Sequence, residues 1–174
     1  MTSDPQIDWL RITECFDRHG VEYLIVGGVG AQLHGATRPT SDFDSLPKTS
    51  DENLGRLATA LRELGAFLRV DGLSEEEARA LPVQLDGDTL ACMDISTWTT
   101  DAGDLDVLTA LPTRDGGRSR YEELVLRASS LDFGGVPVQV AALADIIASK
   151  EWANRPKDRA ALDELHRLAE DELA

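Results

Sequence analysis

Asp42 and Asp44 stand one residue apart near the end of the stretch YLIVGGVGAQLHGATRPTSDFDSL, which runs from Tyr23 to Leu46. Side chains two apart on a strand leave it on the same face, so these two carboxylates project together. Held that close they repel, and one keeps its proton unless a cation stands between them. Mg2+ is a hard divalent ion that takes a few carboxylates together with substrate phosphates, and Mn2+ is its natural substitute. Asp106, flanked by Leu105 and Val107, offers a third carboxylate from a neighbouring strand; Asp104 and Asp94 compete for that place. Three acids on one sheet face suit two-metal phosphoryl transfer, in which ions roughly 3.5–4 Å apart hold the attacking and leaving oxygens.

Gly27-Gly28 supplies the other half of the pattern. After an apolar strand, a Gly-Gly turn lets the backbone come close to a phosphate, and the helix that follows adds N–H donors at its start. Such turns also occur for steric reasons alone, but one followed by an Asp-x-Asp pair is far more specific. The basic residues are unevenly spread: Lys150, Arg155, Lys157 and Arg159 fall close together, and Arg38 lies just before the aspartates.

The elements that must carry these residues follow from the apolar periodicity. A first helix covers Asp8 to Arg18, and Val21 to Val26 is a strand ending at the glycines. A short helix over Val29 to His34 is broken at Arg38-Pro39, after which Thr40 to Leu46 forms a second strand. Ser50 caps an amphipathic helix that runs to Leu64 and stops at Gly65. Phe67 to Val70 reads as a strand and Ser74 to Ala80, with its Ser-x-x-Glu start, as a helical turn. Thr89 to Thr97 and Leu105 to Leu111 are further strand candidates. Tyr121 to Ala128 reads as a short helix, and Ser130 to Val140 as a hairpin around Gly134-Gly135. Two helices, Ala142 to Trp152 and Lys157 to Leu173, close the chain, with Pro156 between them. This order implies an α+β fold with a small mixed β-sheet flanked by helices. Residues 1–140 read as the core and 141–174 as C-terminal helices packing on the same domain.

Length and composition bound the function. With 174 residues, 42% hydrophobic and 28% charged, the chain is in the range of one globular domain. The N-terminal residues lack a basic region followed by an apolar one, and no apolar run approaches bilayer length, so a cytoplasmic protein with no membrane association is expected. Cys15 and Cys92 have no Cys-x-x-Cys or Cys/His spacing and read as reduced, packed thiols. Trp9, Trp98 and Trp152 read as core residues, and His34 as packed or capping. The net charge of −15 repels polyanions, so a phosphate-bearing ligand must find a local positive site.

The pattern Val26-Gly27-Gly28, a gap, then Asp42-Phe43-Asp44 resembles the signature of the DNA polymerase β-like nucleotidyltransferase superfamily. More narrowly, Gly27, Gly28, Ala31, His34-Gly35, Arg38, Thr40, Asp42 and Asp44 look like the AbiEii and MenT-like branch of bacterial nucleotidyltransferase toxins. The block from Leu143 to Lys150, with Arg155-Pro156-Lys157-Asp158 beyond it, is similar to that branch's C-terminal helices. The resemblance implies the superfamily fold and a Mg2+-dependent transfer of NMP from an NTP, with pyrophosphate released. For the toxin branch it implies the 3′ end of tRNA as acceptor and a cognate antitoxin as partner. The same chemistry on an aminoglycoside, a lincosamide or a partner protein is the alternative, and the acidic charge favours a small cationic acceptor.

Carried onto this sequence, Asp42 and Asp44 match the metal-binding pair. Asp106 matches the third acid, placed also to act as base toward the acceptor hydroxyl. Gly27 and Gly28 match the phosphate loop, and Lys150 a lysine facing the triphosphate, with Arg38 able to do the same. Thr40 and Ser41 lie where hydroxyls meet phosphate oxygens, and in some such toxins a hydroxyl there is a target of inactivating phosphorylation. The turn carrying Lys157 and Asp158 either closes on the nucleotide or caps the last helix.

Overall fold

The computed structural model describes residues 7–172 and 174; the first six residues of the N-terminal reading and Leu173 lie outside it. Asp8 caps helix α1 (Trp9–Arg18) through its side chain, accepting from the Arg11 amide at 3.1 Å. Strand β1 (Tyr23–Val26) runs straight into helix α2 (Gly27–Leu33), and β2 (Asp42–Pro47) returns antiparallel to β1. The second strand thus begins at Asp42, leaving Thr40 and Ser41 in the loop before it. Ser50 caps α3 (Asp51–Glu63) as the spacing predicts. Strand β3 (Phe67–Leu68) is shorter than expected, and α4 (Glu75–Arg79) starts in a full Ser74/Glu77 capping box.

The strand expected over Thr89 to Thr97 is a correction. Asp86 accepts from the Thr89 amide at 2.8 Å and starts a short helix, α5 (Gly87–Ala91); the strand β4 (Ile95–Thr100) begins only afterwards. The segment expected over Leu105 to Leu111 also splits. Strand β5 (Gly103–Leu108) belongs to the main sheet, whereas β6 (Leu111–Pro112) pairs with β7 (Arg118–Ser119) in a separate ribbon. Helix α6 (Tyr121–Leu124) runs into a 3-10 turn, and β8 (Ser129–Phe133) and β9 (Val136–Val140) form the hairpin. Helix α7 (Leu143–Ala153) stops at Asn154, which takes the left-handed conformation at φ 47°, and α8 (Pro156–Glu172) starts with proline at its first position.

The sheet is mixed and has seven strands in the order β3-β4-β5-β2-β1-β9-β8. At its centre β2 runs parallel to β5 and antiparallel to β1, and β1 runs parallel to β9. Both faces are covered, and alternation along the central strands decides what each face holds. Tyr23, Ile25, Phe43, Leu105 and Val107 pack against α1 and α3 in one core. Leu24, Val26 and Leu46 pack with Ile146, Ile147 and Leu165 of α7 and α8 in the other. Asp42 and Asp44 share the face of Leu46, and Asp104 and Asp106 the face opposite Leu105 and Val107, by the same period of two. The α7–α8 face therefore carries the carboxylates.

Buried Asn53 ties α3 to this frame. Its Nδ2 donates to the carbonyls of Glu22 and Lys48, each at 2.8 Å, and its Oδ1 accepts from the Glu22 amide at 2.8 Å. Trp98 is fully buried, whereas Trp152 is 54% exposed and so is not the core residue expected. Its ring lies over Gly116, where a Cβ would come within 2.9 Å of it. Cys15 is buried, but Cys92 is exposed and not the packed thiol expected.

Candidate active site

Register brings the acids together. Asp42 lies opposite Asp104, and Asp44 opposite Asp106, across the parallel β2–β5 ladder. Asp42, Asp44 and Asp106 each offer one carboxylate oxygen, and the three oxygens lie within 4.8 Å of one another. Asp106 Oδ1 is buried and has no hydrogen-bond partner among the described residues. An unpartnered buried carboxylate oxygen costs free energy unless something positive meets it. Three oxygen donors, one of them orphaned, fit a hard divalent cation such as Mg2+.

The competing acids are already engaged. Asp104 accepts from Arg69 Nη1 at 2.7 Å and from the Thr99 hydroxyl at 3.0 Å. Asp94 lies outside the strands and pairs with Arg118 at 2.9 Å. Only Asp106 is left facing the aspartate pair.

Burial first, then the charges of Asp106 and Asp42, push Asp44 up to about 7; the Gly28 backbone and Lys150 pull the other way. Burial also raises Asp106, against the neighbouring Thr97 hydroxyl.

The glycines also make room for the chain's own side chains. Gly27 has φ +63°, and a Cβ there would lie 2.0 Å from Asp44 Oδ2. A Cβ at Gly28 would lie 2.5 Å from Thr40 Oγ1. What fills the space beside the turn is the chain's own Asp44 and Thr40, so both glycines are required to seat these side chains. Helix α2 has only seven residues.

A cavity of about 220 Å3 opens over the triad. Gly27, Gly28, Arg38, Thr40, Lys150, Arg155, Lys157 and Asp158 line it with the three acids, and Ala31, Leu108, Leu111 and Ile146 form an apolar wall. Ser41 is not among the lining residues; its hydroxyl donates to Asp42 Oδ1 at 2.5 Å and orients that carboxylate.

Asp158 caps the last helix, one of the two alternatives its turn offered, and lines the cavity as well. It is fully buried, accepts from Arg155 Nε at 2.7 Å and lies 3.5 Å from Lys150 Nζ. It also accepts from the Arg155 amide at 3.3 Å, closing the first turn of α8. These bonds make it the anchor of two cavity cations. Arg155 was not singled out as a ligand by the sequence, although its place in the basic cluster was the available signal. His34 is a packed residue: Nε2 donates to the Ala141 carbonyl at 2.9 Å, and Nδ1 faces Glu172 at 3.3 Å.

The loop carrying Arg38 is strapped to α8. Glu164 accepts from the Thr37 amide at 2.8 Å and from its hydroxyl at 2.6 Å, while Arg38 Nη1 reaches the Ala160 carbonyl at 3.3 Å.

Three solved structures share this fold. The chain is similar over 95% of its length to ANT(2″)-Ia in complex with adenylyl-2″-tobramycin, at 18% identity and TM-score 0.59, covering 87% of that chain. It is similar over 92% of its length to the lincosamide antibiotic adenylyltransferase LnuA with lincomycin bound, at 13% identity and TM-score 0.60, covering 96% of that chain. It is similar over 92% to an antigenic nucleotidyltransferase-like protein from Paracoccidioides brasiliensis, at 15% identity and TM-score 0.54, covering 75% of that chain. No protein-family model matches the sequence, and no curated protein matches it. The likeness establishes the fold as the α+β fold of these nucleotidyltransferases.

Proposed function

We propose that this chain, built on the nucleotidyltransferase fold, is a divalent-metal-dependent nucleotidyltransferase of the polymerase β-like superfamily, moving NMP from an NTP onto an acceptor hydroxyl with release of pyrophosphate. The observation that carries the reading is the convergence of Asp42, Asp44 and Asp106, with the orphaned Asp106 Oδ1, beneath a cavity lined by cations. In this reading the three aspartates hold Mg2+ or Mn2+. The bound ion supplies positive charge to the phosphate oxygens.

The chain's own residues do the rest. Lys150 and Arg155, anchored by Asp158, face the triphosphate, and Arg38 and Lys157 extend the positive rim. Thr40 offers a hydroxyl to the phosphates. Asp106 also accepts the proton of the acceptor hydroxyl as general base. The apolar wall excludes water from the reacting face. Residues 1–140 form the catalytic core, and 141–174 contributes Lys150, Arg155 and Lys157.

For the acceptor, the net charge of −15 favours a small hydroxyl-bearing molecule over a polyanion, with Arg38, Lys150, Arg155 and Lys157 at the cavity as the local positive site. The names of two structural neighbours, an aminoglycoside-complexed enzyme and a lincosamide adenylyltransferase, agree with that choice. A second reading, the toxin that modifies the 3′ end of tRNA and is held by a cognate antitoxin, is favoured by the AbiEii and MenT-like pattern from Gly27 to Asp44. In that reading phosphorylation of Thr40 or Ser41 would silence the site.

One experiment separates these. The purified protein is incubated with each α-32P-labelled NTP and Mg2+, in parallel with an aminoglycoside, a lincosamide and total tRNA. Label on an antibiotic, absent for Asp42→Ala, supports the first reading. Label on tRNA, with growth inhibition in a bacterial host that Asp42→Ala abolishes, puts the second first. Absence of both transfer and Mg2+-dependent NTP binding overturns the enzyme reading.

A further inference from the structure

A second cluster of metal-ligating groups lies on the opposite face of the sheet. Cys15 lies in the last turn of α1 and His19, four residues on, caps its C-terminus, which keeps the two side chains on one side of the helix end. Glu63, the last residue of α3, meets them there. One ligand atom from each of Cys15, His19 and Glu63 lies within 4.8 Å of the other two. We propose that Cys15, His19 and Glu63 form a transition-metal site, with Zn2+ as the ion its thiolate, imidazole and carboxylate donors fit.

The contacts already present show what the ion would replace. His19 Nε2 and Glu63 Oε2 are 2.5 Å apart, with the imidazole donating to the carboxylate. Cys15 Sγ donates to the Ala60 carbonyl at 3.5 Å. Tetrahedral Zn2+ with bonds of about 2.0–2.3 Å puts its donors roughly 3.5 Å apart, so the ion would open the His19–Glu63 contact by about 1 Å and take Cys15, already within 4.8 Å of both, as the third donor. On binding, the thiol proton and the proton between His19 and Glu63 pass to solvent, and the three groups donate their lone pairs to the ion. Arg18 Nη1 holds Glu63 Oε1 at 2.7 Å and leaves Oε2 to the metal, which orients the carboxylate from behind.

Geometry around the cluster favours a cation. His19 and Glu63 both stand at helix C-termini, where the partial charge is negative. Cys15 is fully buried, while the side chains of His19 and Glu63 are 24% and 43% exposed, so the ion reaches the thiol from the solvent side and keeps water in a fourth position. The site would staple the end of α1 to the end of α3. It is independent of the nucleotidyl-transfer reading, because the triad sits on the other face.

The test uses Co2+ as a spectroscopic probe in the full chain carrying Asp42→Ala and Cys92→Ser, which takes one carboxylate from the triad and removes the exposed thiol. A thiolate-to-cobalt charge-transfer band is expected, saturating near one equivalent and bleached by Zn2+. Cys15→Ser should remove the band. His19→Gln, a change at a partly exposed position, should weaken Co2+ binding at least about tenfold while circular dichroism stays unchanged. Absence of the band at several equivalents of Co2+ in folded protein, or an undiminished band in His19→Gln, overturns the proposal.

Discussion

At Asp44 burial and two neighbouring carboxylates hold the pKa up near about 7, against 3.8 for a free aspartate. A folded-state pKa raised above the unfolded one means that the protonated group stabilises the fold. That contribution is complete below about pH 4 and is lost as pH rises through about 7. Without a divalent cation, the protein should therefore lose up to a few kcal/mol across that window. Asp44→Asn, which cannot ionise, should melt at a higher temperature than wild type at pH 8 in EDTA, while transferring no nucleotide. Mg2+ should raise the wild-type melting temperature more at pH 8 than at pH 5 and leave the variant unmoved. Thermal scans at the two pH values check this; a variant less stable than wild type in EDTA at pH 8 would count against it. Asp104 and Asp106 provide the matched pair. Asp106→Asn should lower transfer by roughly 10^3-fold, the scale of several kcal/mol of lost charge stabilisation. Asp104→Asn loosens the partly exposed contact to Arg69, and should cost about 1 kcal/mol or less with transfer within about tenfold.

Two connections between elements seat the site. The first is the β1–α2 turn, where φ +63° at Gly27 and the close approach of Asp44 exclude a side chain. Gly27→Ala should cost about 1–3 kcal/mol in urea unfolding, and the displaced Asp44 should take Mg2+-dependent transfer with it. The second is the α7–α8 junction. Asp158→Ala leaves Lys150 and Arg155 side by side without their shared anion, which should cost about 3–5 kcal/mol and raise the KM for NTP more than it lowers kcat. Urea titration and steady-state kinetics measure the two effects. The elements themselves were legible to different degrees. Ser50 and the Ser74/Glu77 box announce their helices because capping is chemistry between residues three apart. Thr89 to Thr97 misled because its β-favouring residues hide the Asp86 cap, which makes a helix of the first part.

Across the whole molecule, 32 acidic residues against 17 Lys and Arg leave a negative field, with the cavity cations as a local exception. Raising salt from about 50 to 200 mM screens that long-range repulsion while sparing the partly buried Lys150. The apparent KM for NTP should hence stay level or fall. Any tRNA binding should show a shallow dependence of affinity on salt, since few cations are available to displace counterions. Fluorescence anisotropy with labelled tRNA measures the slope; a steep one would count against a small-molecule acceptor. The two apolar faces of the sheet give the molecule its two sides, with the triad on the α7–α8 side and Cys15, His19 and Glu63 on the α1–α3 side.

By itself the sequence determined that Asp42 and Asp44 share a face, that a Gly-Gly turn precedes them, and that helices flank a mixed sheet. These rest on periodicity and capping, interactions between near neighbours in the chain. Tertiary structure alone decided which third acid joins them. Asp94, Asp104 and Asp106 look alike along the chain, and only the β2–β5 register, with Arg69, Thr99 and Arg118 engaging the other two, leaves Asp106 facing the pair. It decided as well that Gly27 makes room for Asp44, and that Asp158 lies buried between Lys150 and Arg155. Each is a contact made when distant segments close on one another, and the energy of a carboxylate depends on the partner it meets there.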